Sequence, residues 1–117
     1  MESLALYRQT AHERARRTAL ACRQRREKAW EIAHAAAALL KSRYHAARVV
    51  AFGSLTQADR FHLWSDVDLA VWGLASEDYF EAVARALDIG GEIKVDLLMA
   101  EKCKPFLREA ISQGTDL

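Results

Sequence analysis

The stretch GSLTQADRFHLWSDVDL, residues 53–69, decides how the rest of the chain is read. It follows Arg48–Phe52 (RVVAF), a short, apolar, partly β-branched run that ends at a glycine and so reads as a strand entering a turn. Its far end opens a second strand, Ser65–Trp72 (SDVDLAVW), in which Val67, Leu69 and Val71 alternate with Asp66, Asp68 and Ala70. Aspartate is depleted from strands, and a carboxylate taken out of water without a partner costs several kcal/mol or changes its protonation state. Asp66 and Asp68 lie two apart, so a strand aims both from one face, where like charges repel. A divalent cation between them is the compact remedy. Asp96 repeats the anomaly in a third apolar run, Ile93–Met99 (IKVDLLM). If that strand lies beside the second, three carboxylates share a patch. With no cluster of His or Cys beside them, such a donor set favours Mg²⁺ over zinc. Gly53-Ser54 adds a turn whose backbone can approach a phosphate closely and whose amides and hydroxyl can hold its oxygens.

Working outward, Ser76 is placed to cap a helix, with Glu77 and Asp78 in its first turn and Phe80, Val83, Ala84 and Leu87 as its apolar face. Gly90-Gly91 should stop it. Pro105 suits the first turn of a last helix over 104–113, closed by Gly114. Upstream, no Gly or Pro occurs before Gly53, and the composition is rich in good helix formers. Ala11, Ala15, Thr18, Cys22, Ala29, Ala33, Ala37, Leu40 and Tyr44 draw one helical stripe. A helix over 4–44 would run roughly 60 Å, about twice the width of a domain this size. The reading is therefore two helical pieces, 3–25 and 27–44, unless the first half projects.

These 117 residues suffice for one domain with a real core. The expected layout is a helical N-terminal extension over 1–45, packed on or projecting from an α+β core over 46–117. No apolar stretch approaches the roughly 20 residues needed to cross a bilayer, and the N-terminus lacks a signal-peptide pattern. Cytoplasmic residence follows, with Cys22 and Cys103 as free thiols. The net charge of +1 conceals a split, +6 over residues 1–45 and −5 over the remainder. Such a split gives two regions different work, or gives the basic one an acidic partner.

Gly53-Ser54, the loop to Trp64 and Ser65-Asp66-Val67-Asp68-Leu69 together resemble the signature of the minimal nucleotidyltransferases of the DNA polymerase β-like superfamily. The likeness runs from about Ala46 to Gln113. It implies a small mixed sheet with flanking helices, Gly53 and Ser54 on the triphosphate of ATP, and Asp66, Asp68 and Asp96 on Mg²⁺. Asp66 and Asp68 would bridge two cations, while Asp96 would complete one site and help activate the attacking hydroxyl. Two details depart from the family. Eleven residues, Leu55–Ser65, separate Gly-Ser from Asp66, one more than is common, and Thr56-Gln57-Ala58 replaces the usual Ala-Arg-Gly. Small members of this family commonly act beside a helical HEPN-domain protein. The resemblance thus implies an antitoxin that transfers AMP to a tyrosine of a HEPN toxin.

Plainer readings stand beside these. Asp66 and Asp68 could mark an exposed edge strand whose charges discourage aggregation. The chain could neutralise a partner by contact without catalysis, or transfer a nucleotide to a small molecule such as an aminoglycoside. Lys94 reads as a surface lysine near Asp96, Trp64 and Trp72 as core-edge residues, and His62 as an ordinary loop residue. The basic helix lacks the interleaved aromatics of a nucleic-acid surface, and its stripe of Ala and Cys is unlike a membrane-binding face. Self-association through that helix stays open.

Overall fold

The structure is a computed structural model that describes residues 2–117; Met1 lies outside the described residues. Helix α1 (Glu2–Tyr44) is a single uninterrupted run, so the expected division into 3–25 and 27–44 is not present. Nothing in the sequence forces a break there: the boundary residues Arg25, Arg26 and Glu27 all favour helix. The helix ends where His45 takes φ 57°, and the Ala46 amide turns back to the Leu40 carbonyl at 3.0 Å.

Strand β1 (Arg48–Phe52) follows, then a 3-10 turn (Gly53–Thr56), β2 (Val67–Trp72), α2 (Tyr79–Gly90), β3 (Val95–Met99), α3 (Pro105–Ser112) and the two-residue β4 (Thr115–Asp116). The strands form one mixed sheet in the order β3-β2-β1-β4. β1 is antiparallel to β2 and β4, while β2 and β3 run parallel through the α2 crossover. β2 is therefore interior, and the edge-strand reading of Asp66 and Asp68 falls away.

The pleat divides the core in two. Val49, Ala51, Val67, Leu69, Val71, Val95 and Leu97 face α1 and α2 in the larger cluster. Val50, Phe52 and Ala70 face Ile111 of α3 in the smaller one. The second half of α1 supplies Ala29, Ile32, Ala33, Ala36, Ala37, Leu40 and Tyr44, all buried. Beyond Cys22 toward the N-terminus the stripe is uncovered: Ala11, Ala15 and Thr18 are exposed, as are Leu4, Leu6, Tyr7 and Leu20. The molecule measures 65 × 28 × 19 Å as a result.

Helix α2 turns a different face inward from the expected one. Ala82, Ala86 and Gly90 are buried, with Tyr79, Val83 and Ile89 packed beside them, whereas Phe80 is 83% exposed. Small residues let the helix sit close: a Cβ on Gly90 would come within 2.9 Å of Val95. Tyr79 fixes the choice by donating its hydroxyl to the Leu97 carbonyl at 2.7 Å. Ser76 does not cap this helix. It opens a 3-10 turn (Ser76–Asp78), and its hydroxyl accepts from Lys102 Nζ at 3.0 Å.

Both cysteines are free thiols. Among the described residues, no helix is long and apolar enough to cross a membrane.

Candidate active site

The aspartates reach one face of the sheet through register. Asp68 on β2 is paired with Asp96 on β3 and, on its other side, with Phe52 of β1. Asp66 precedes Asp68 by two residues, just ahead of β2, and its charge is felt at Asp68. Helix α3 covers this face farther along, over Val50, Phe52 and Ala70, and leaves the aspartate end open.

The electrostatic consequence falls on Asp68. Partial burial, then the charge of Asp96, then that of Asp66, push its carboxyl up from 3.8 to about 6, against a smaller opposite pull from Lys94. Lys94 Nζ sits 3.2 Å from Asp96 Oδ1, and that contact, followed by the attraction of Asp66 and Asp68, raises the lysine's own pKa. Lys94 is thus more than a bystander: its ammonium partly neutralises the acidic group.

Gly53 stands against the same carboxylate. It holds φ +76°, and a Cβ there would lie 2.5 Å from Asp68 Oδ2. Only glycine meets both conditions, the left-handed backbone and the close approach. The turn it begins is tied by Thr56 Oγ1 donating to the Gly53 carbonyl at 2.9 Å and by the Gln57 amide to Ser54 at 3.0 Å. Next to it opens a cleft of about 530 Å³, bordered by Gly53, Thr56, Arg60, Phe106 and Glu109. That volume lies in the range of small-molecule sites.

Asp66, Asp68, Asp96 and Gly53 are therefore gathered at one end of the sheet, with Ser54 beside Gly53 in the chain. The carboxylates are not drawn into a closed cage. Among the described residues, no three His, Cys, Asp or Glu side chains are near enough together to ligate a cation as they stand. Their chemistry nevertheless fits a hard divalent ion, with oxygen donors only and one carboxyl forced upward by burial and then by two like charges.

Two contacts escape sequence reading altogether. Arg25 donates to the Ser65 carbonyl from Nη2 at 2.9 Å and from Nε at 3.3 Å, and Arg26 Nε donates to the Leu55 carbonyl at 2.9 Å. Nothing distinguishes these two from their neighbours in a basic helix. Trp64 departs from the core-edge reading, since it is 79% exposed in the loop before Asp66. Trp72 does border the smaller core cluster, with the Arg48 guanidinium 4.6 Å over its ring.

The four-stranded mixed sheet with flanking helices, with Gly-Ser at the end of β1, aspartates at the start of β2 and a third on β3, has the nucleotidyltransferase type of fold. A solved structure described provisionally as a minimal nucleotidyltransferase is similar to this chain, with 27% identity and a TM-score of 0.54, over 80% of this chain and 88% of that one. No protein-family description and no curated protein matches the sequence. Fold and likeness together point to nucleotidyl transfer as the general chemistry.

Proposed function

We propose that the chain is a Mg²⁺-dependent nucleotidyltransferase that moves AMP from ATP onto a tyrosine hydroxyl of a HEPN-domain protein, acting as that protein's antitoxin. The observation that carries the catalytic part is the pairing of Asp68 with Asp96 across neighbouring strands, with the charge of Asp66 acting on Asp68 and Asp68 pressed against Gly53. The choice of partner and acceptor rests on the family resemblance alone.

In this reading Asp66 and Asp68 would hold the cations, and Asp96 would help to hold one of them. Bound Mg²⁺ would supply neutralisation of the triphosphate and a lowered pKa for the acceptor hydroxyl. The Gly53-Ser54 turn offers amide and hydroxyl donors to phosphate oxygens. The acceptor oxygen attacks the α-phosphorus, the bond to the β-phosphate breaks, pyrophosphate leaves, and Asp96 draws off the hydroxyl proton. Asp96 must release Lys94 to do so, and the freed ammonium can then meet a phosphate oxygen.

A second reading, neutralisation by contact without transfer, is favoured by the Lys94–Asp96 ion pair and by the unclosed carboxylate group. Incubation with α-labelled ATP and Mg²⁺, with and without the HEPN protein, separates the two. Label is expected on the partner's tyrosine, and it should vanish with Asp66→Asn/Asp68→Asn while binding of the partner persists. Unlabelled partner that is still neutralised by the double variant would establish the second reading. Label on an aminoglycoside alone would replace the acceptor.

A further inference from the structure

The loop between Ser54 and Asp66 runs from Leu55 to Ser65, and two consecutive residues of α1 bond to its two ends. Arg26 holds the carbonyl of its first residue at 2.9 Å, and Arg25 holds the carbonyl of its last at 2.9 Å. These are part-buried contacts across 29 and 40 residues of sequence. Leu55 follows Ser54 directly, and Ser65 immediately precedes Asp66. We infer that Arg25 and Arg26 are positioning residues: a helix-borne clamp that sets the spacing between the phosphate-binding turn and the first metal-binding carboxylate. The inference rests on the proposed nucleotidyl transfer for its functional meaning, but not for its structural part.

The chemistry suits arginine. Carbonyls outside regular structure need donors when covered, and a guanidinium keeps its charge and offers several N–H groups in a rigid fork. Arg25 uses that fork, giving two donors to one oxygen. The middle of the loop is fastened separately, by buried Phe61 and by the Phe61 amide donating to the Gln57 carbonyl at 3.1 Å. Its ends are also tied locally, Leu55 by burial in the core and Ser65 by a hydroxyl that accepts from the His62 amide and an amide that donates to the His62 carbonyl; the two arginines add the tie to α1. Displacement by about 1 Å in such a site can cost a hundredfold in rate.

Hydrogen–deuterium exchange, nucleotide binding and transfer kinetics on the full chain test this, using Arg25→Ala, Arg26→Ala and the exposed Arg17→Ala as control. Arg25→Ala should speed exchange in peptides spanning 62–67 and lower kcat at least tenfold with little change in KM. Arg26→Ala should speed exchange across 54–58 and weaken binding of a fluorescent ATP analogue about tenfold. Arg17→Ala should match wild type throughout. If either alanine variant fails to fold, Arg25→Lys and Arg26→Lys keep charge and stem but lose the fork, and should shift the same readouts by less. Wild-type exchange at both loop ends in the alanine or lysine variants overturns the clamp. If wild type binds no nucleotide, the proposed transfer fails, and the exchange data alone still decide whether the arginines fix the turns.

Discussion

Asp68 carries the tension of the site, and its titration can be read without any turnover. Its carboxyl is raised in the folded protein to about 6, chiefly by burial and then by Asp96 and Asp66. A raised carboxyl pKa means that the folded chain holds the proton more tightly than the unfolded one. The favourable contribution is complete below about 3.8 and is lost as pH climbs through about 6. At pH 7.5 without divalent cation, Asp68→Asn should therefore be more stable than wild type, by about 1–2 kcal/mol once the carboxyl's solvent exposure is allowed for. That advantage should fade toward pH 4, and Mg²⁺ should raise the melting temperature of wild type but not of the variant. A wild type more stable than Asp68→Asn at pH 7.5 in EDTA would mean that the three charges do not strain the fold. Gly53 gives a companion test. Gly53→Ala meets both an unfavourable left-handed backbone and the Asp68 carboxylate, and should cost about 1–3 kcal/mol while weakening ATP binding. Unchanged melting and affinity would show that the turn and carboxylate relax freely.

At the level of elements, burial along α1 predicts two classes of substitution. Leu40→Ala, in the packed half, should cost about 2–5 kcal/mol by denaturant unfolding, because Leu40 has no exposed surface. Leu6→Ala, on the uncovered half, should change stability by less than about 0.5 kcal/mol. Equal effects would place the outer half against something. The same contrast shows what was legible beforehand. Ala29, Ala33, Ala37, Leu40 and Tyr44 follow a helical period and are buried as that period requires, but Ala11, Ala15 and Thr18 follow it as well and are exposed. Periodicity identifies a helix and a side, and cannot say where the partner sheet ends. In α2 two apolar stripes competed, and the one with smaller residues won because close approach to the sheet outweighed the burial of Phe80. β4 left no trace, since two residues show no alternation; its register comes from Arg48 meeting Asp116 at 2.6 Å and from the Leu117 amide reaching Val49. The aspartates were legible because carboxylates among β-branched residues violate strand chemistry. Arg25 and Arg26 were not, because an arginine on a helix violates nothing.

For the whole molecule, the uncovered half of α1 dominates the shape. The radius of gyration is 17.8 Å, whereas a compact domain of this length would have about 13 Å. Residues 3–22 have few tertiary contacts to hold them, so their helicity depends on propensity, on continuity with the packed half, and on local pairs worth only a few tenths of a kcal/mol each. Amide exchange in residues 5–20 should consequently be faster than in residues 29–44 by orders of magnitude, with the transition falling near the arginine clamp. At low protein concentration, X-ray scattering should give a radius close to that of the extended shape. Protection equal along the whole helix would require the outer half to be covered by another chain. Dilution then discriminates: protection that disappears at low concentration belongs to self-association, and protection that persists would contradict a marginally supported arm.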